Sequence, residues 1–63
     1  RRDLGRLLDG LPERQRNLVQ DVKITGLSID EASRRSGMSP SAVKVSIHRA
    51  VQAMARRARD EDR

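Results

Sequence analysis

Between Ser28 and Pro40 the chain carries two helix starts with a glycine stop between them, and no other feature narrows its fold as far. Ser28 with Glu31 has the S-x-x-E form of a capping box: the hydroxyl takes a backbone N–H of the first turn, and the carboxylate returns to the N–H of the cap. Leu27 and Ala32 are placed as the accompanying hydrophobic staple. A helix is therefore predicted from Ile29 to Ser36, stopped by Gly37. After Gly37, Met38 and Ser39 the start signal returns, an N-cap hydroxyl at Ser39 followed by Pro40 in the first helical position. Two helices joined by a turn this short, with glycine in it, have the spacing of a helix-turn-helix.

The helix opened by Pro40 is predicted to run to about Arg59. At 3.6 residues per turn Val43, Ile47, Ala50 and Met54 form its core stripe. Val45 falls nearly opposite, among Ser41, Lys44, His48 and Arg49. In a helix-turn-helix the second helix lies in the major groove, with its N-terminal half against base edges. The residues offered there are Ser39, Ser41, Lys44, Val45, Ser46, His48 and Arg49: hydroxyls for base or phosphate, cations for phosphate or guanine, and one apolar group. A branched apolar side chain in the groove can pack against a thymine methyl, which gives Val45 a use. The competing readings are contact with a protein partner, or an ordinary exposed apolar residue.

Upstream, Leu4, Leu7, Leu8 and Leu11 recur at helical spacing and predict a short amphipathic helix over 2–9. Pro12 suits the start of a second helix over 12–25, with Gln15, Leu18, Val19 and Val22 on one face and Gly26 as a left-handed stop. Residues 60–63, at the end of the charged tail, are expected to fray. The result is an all-α fold, a small bundle of about four helices in one domain over 1–63.

A chain of 63 residues buries only about 60% of its unfolded surface, which argues against a deep catalytic cleft. It has no Phe, Tyr, Trp or Cys, so the core is aliphatic and thiol chemistry is excluded. Fourteen Lys and Arg against nine Asp and Glu leave a net charge of +5, a balance suited to a polyanion. No apolar run approaches the ~20 residues of a membrane span. Because it starts at Arg1 and not Met, the chain is expected to be a piece of a longer protein. His48 is the single histidine and has no carboxylates at ligand spacing, so neither a metal nor another cofactor is expected. Asp30 and Glu31 sit in a helix first turn, where carboxylates complement the dipole. Arg56, Arg57 and Arg59 suit a helix C-terminus, with non-specific DNA affinity as a second use. Arg34 and Arg35 read similarly, as a solvated pair or as neighbours of a phosphate.

The run LPERQRNLV, followed by GLSIDEASRRSGMSPSAVKVSIHRAVQAM, resembles region 4 of bacterial sigma factors of the extracytoplasmic-function group. That pattern has a Leu-Pro-x-x-x-Arg opening, Gly-Leu-Ser before the first helix of the motif, and Thr-Val-Lys-Ser-Arg-x-His-Arg-Ala in the second. Leu11, Pro12, Arg16, Gly26, Leu27, Ser28, Glu31, Gly37, Ser39, Val43, Lys44, His48, Arg49 and Ala50 match in order. The resemblance implies a cytoplasmic, non-catalytic module that reads the minus-35 promoter element while its first helices dock on the beta flap of core RNA polymerase. It implies that Lys44, His48 and Arg49 meet phosphates or bases, that Ser39 and Ser41 anchor the backbone, and that the helix starting at Ile29 points its amides at a phosphate. An anti-sigma factor is the further implied partner.

The chain departs from the pattern where Val45-Ser46 replaces Ser-Arg, so a long cationic reader is lost and the usual base preference does not carry over. Ala32 and Ser36 replace larger apolar residues, which predicts a thin core. Two alternatives stand beside the promoter-reading assignment. One is a protein-interaction domain sequestered by an anti-sigma factor. The other is the DNA-binding output domain of a LuxR-type response regulator, although that type has its histidine two residues after the Val-Lys pair, where Ser46 stands here.

Overall fold

A computed structural model describes residues 4–61, with the side chains of Leu4 and Glu61 outside that description. The helix start proposed at residues 2 and 3, the place of the Leu4 side chain in the apolar edge, and the last two residues of the tail lie outside the described residues. Among the described residues four α-helices follow in order: α1 (Leu4–Asp9), α2 (Glu13–Val19), α3 (Ile29–Ser36) and α4 (Pro40–Glu61). There is no strand among the described residues.

Two boundaries differ from the sequence reading. Pro12 is the extended N-cap of α2, not its first turn. The helix expected over 12–25 changes character after Val19 and continues as a π-helical turn, Gln20–Thr25. That turn ends at Gly26, whose φ of 91° is left-handed, and the Asp21 carbonyl accepts the N–H groups of both Gly26 and Leu27. The wider winding comes from which carbonyl takes these amides, and residue periodicity carries no trace of that choice. At the other end, α4 continues through Asp60 and Glu61, which the sequence assigned to a frayed tail.

α4 is the spine against which the other helices pack. Its 22 residues reach about 33 Å at 1.5 Å per residue, and they account for the elongated 39 × 18 × 16 Å shape. The apolar stripe of α4 divides between two clusters. Ala50 and Met54 close over Leu7, Leu8, Leu11 and Val19, while Val43 and Ile47 close over Leu18 and Ala32, flanked by Val22, Ile29 and Met38. Neighbouring residues Leu18 and Val19 thus serve different clusters, and Leu18, 1% exposed, ties α2 to the helix pair. The small Ala32 is fully buried, which lets α3 lie close to α4.

Candidate nucleic-acid interface

The capping box of α3 is formed on both sides. Ser28 Oγ accepts the Glu31 N–H at 3.1 Å, and Glu31 Oε1 accepts the Ser28 N–H at 2.9 Å. These bonds to Ser28, reinforced by Arg34, hold the Glu31 carboxyl below the usual carboxylate range. They also bear on the phosphate expected at this helix start. Two of its amides are already engaged, and Asp30 and Glu31 in the first turn present negative charge to any anion. The start of α4 is the opposite case, with no acid in its first turn.

Between the two helices the backbone turns through Gly37, at φ 75°, whose N–H returns to the Ser33 carbonyl at 3.0 Å. The Ser33 hydroxyl donates to the Met38 carbonyl. The Ser36 hydroxyl donates to the Ser33 carbonyl at 3.3 Å and its oxygen accepts the Met38 N–H at 3.2 Å. Ser36, expected only to thin the core, instead braces the turn that sets where α4 begins. Ser39 then caps α4, its Oγ accepting the Ala42 N–H at 3.1 Å and its carbonyl the Val43 N–H at 2.9 Å.

Beyond that cap Ser41, Lys44, Val45, His48 and Arg49 are exposed, Val45 by 47%. Ser46 is half-buried. At about 100° per residue it lies about 60° from Val43 on one side and about 60° from Arg49 on the other, at the border between the core stripe and the outward row. The exposed residues divide as well. Ser41, Val45 and Arg49 follow one another at four-residue steps along the outside. Lys44 and His48 turn toward one flank, where with Ile47 and Val51 they line a groove of about 320 Å³ closed by Val22, Lys23 and Ile29. Lys23 joins Lys44 and His48 there through the π-helical turn, a meeting across the fold that no local motif announces. Arg35 lies on the other side of α3, 3.9 Å from Asp21 and 66% exposed, a solvated pair.

Two helices joined by a braced turn, the second presenting a polar and basic face from an acid-free start, define a helix-turn-helix domain of the DNA-binding class. Residues 1–54 match the family described as sigma-70, region 4, and the chain belongs to that family. It is 55% identical over 60 residues to the ECF RNA polymerase sigma factor SigF of Caulobacter vibrioides, covering 95% of this chain and 34% of that protein. It is 46% identical over 46 residues to the ECF RNA polymerase sigma factor ShbA of Streptomyces griseus, covering 73% of this chain and 24% of that protein. The chain thus spans about a third or less of the curated relatives it matches. No solved structure matches it. Neither the LuxR-type alternative nor that of a domain sequestered by an anti-sigma factor has support in these comparisons.

Proposed function

We propose that this chain is the promoter-reading domain of an RNA polymerase sigma factor, with α4 in the major groove of the minus-35 element and core polymerase, through its beta flap, as the protein partner of the first helices. The setting is the cytoplasm, and among the described residues no helix is long and apolar enough to cross a membrane. The observation that carries the reading is the exposed row Ser41, Val45 and Arg49 on α4, flanked by Lys44 and His48 and following a helix start without acids. In this placement Lys44, His48 and Arg49 neutralise phosphates or bond base edges, Ser39 and Ser41 meet the backbone, and Val45 packs on a thymine methyl. Ser46 stays at the edge of the contact.

The test is equilibrium binding to a duplex selected from a randomised pool. Lys44→Ala is expected to weaken binding to all duplexes and to flatten the salt dependence by about 0.9 in the log–log slope. Val45→Ala is expected to lose affinity only where thymine faces it, and replacing that thymine by deoxyuridine should cost the parent and leave the variant unchanged. Equal losses for parent and variant on deoxyuridine would remove Val45 from the base contact.

A second reading, sequestration by an anti-sigma factor, is favoured by the groove beside Lys44 and His48. Its floor is apolar, and Val51 and the nearby Ile24 are 42% and 55% exposed. A protein seated there covers Lys44 and His48, two of the residues assigned to DNA, so the two partners exclude each other. Competition between a purified anti-sigma factor and the selected duplex tests this, and simultaneous binding would rule it out.

A further inference from the structure

The outward face of α4 continues past the turns assigned to base reading. At about 100° per residue, Gln52 lies about 20° to one side of Val45, Arg56 about 20° to the other, and Arg59 about 40° from it. All three are exposed. The neighbouring Arg57 does not belong to this row, because its guanidinium lies against Gly10, where an added methyl would collide with it. From Pro40 to Arg59 the helix has no acidic residue, and the nearest acid, Asp60, stands about 60° from the direction of Val45.

Distance along the axis decides what these arginines meet. At about 1.5 Å per residue Arg56 and Arg59 lie about 16 and 21 Å beyond Val45. The major groove is about 12 Å wide. With α4 entering the groove by its N-terminal half and its axis crossing the groove wall, both side chains stand past the bases that Val45 meets, where the accessible group is the sugar-phosphate backbone. We infer that Arg56 and Arg59 form a second DNA contact, to phosphates flanking the element that α4 reads, so that the footprint extends beyond the recognised bases. This rests on the placement of α4 proposed above.

The experiment compares the 63-residue chain with its R56Q/R59Q double variant, both checked for helical content by circular dichroism. Each is titrated against a duplex ending at the selected element and against duplexes extended by a helical turn on either side. The parent is expected to gain affinity from extension on one side, and the double variant to gain nothing. Losing two phosphate contacts should lower the log–log salt slope by about 1.8, so between about 50 and 200 mM salt the parent loses about twelvefold more affinity than the variant. Equal gains from extension, no gain for the parent, or an unchanged salt slope would overturn the inference. So would intact DNA binding combined with weakened binding to core polymerase, which would assign the arginines to an acidic protein surface. Lys44→Ala on the unextended duplex separates the two levels. If it weakens binding while the arginine variant is silent, only the flanking contact fails; if it too is silent, the placement of α4 on DNA fails.

Discussion

Replacing Gly37 by alanine isolates the cost of the backbone turn on which the helix pair depends. Gly37 has φ 75°, and no atom lies within 4 Å of an added Cβ, so a new methyl meets open space and the penalty is conformational alone. Holding an L-residue with a Cβ in the left-handed region costs about 1–2 kcal/mol. Alanine also restricts the unfolded chain, which returns about 0.4–1 kcal/mol. The net loss is about 1 kcal/mol, or a melting temperature lower by about 4–8 °C for a domain of this size. Thermal unfolding followed by circular dichroism reads the shift directly. Gly37→Asn is the control, because asparagine tolerates this conformation and adds its atoms to the same open space, so its loss should be less than half as large. Alanine and asparagine variants melting together, or an alanine variant as stable as the parent, would refute the reasoning that conformation alone sets the cost.

Further predictions concern the core, the turn and acid stability. Leu18→Ala should cost about 2–5 kcal/mol, because Leu18 joins α2 to the cluster of Ala32, Val43 and Ile47; chemical denaturation should show a domain close to unfolded in water. Ser36→Ala removes the acceptor of the Met38 N–H and should cost about 1 kcal/mol, read by the same denaturation. Glu31 is held below the usual carboxylate range by its bonds to Ser28, so the stability it contributes is complete above that range and lost as pH falls through the lowered value. Glu31→Gln keeps a capping side chain without the titration; its melting temperature should decline less steeply than the parent's on acidification, and parallel curves would exclude this source.

The signals legible in the sequence were local ones. Ser28 with Glu31, Gly37, and Ser39 with Pro40 act within one turn of the chain, and each sets a helix end in the folded domain. The core stripe Val43, Ile47, Ala50 and Met54 was equally visible, since a helix keeps its period whatever packs against it. The π-helical turn was not, because a one-residue change in which carbonyl accepts an amide leaves composition and spacing unchanged. The bracing role of Ser36 is not legible locally, because its partners, Ser33 and Met38, become neighbours only once the turn has formed. Ser46 is half-buried between Val43 and Arg49, a degree of burial set by what packs against α4 and not by its own spacing. Lys23 carries no local signal, because its meeting with Lys44 and His48 is tertiary.

The central claim, that the outward face of α4 is what touches DNA, is tested most directly by amide chemical-shift mapping of the isotopically labelled chain during titration with the selected duplex. The largest changes are expected at Ser41, Lys44, Val45, His48 and Arg49, with Leu7 and Leu8 of α1 little affected. Changes concentrated on α1 and α2, with the amides from Ser41 to Arg49 unmoved, would contradict it.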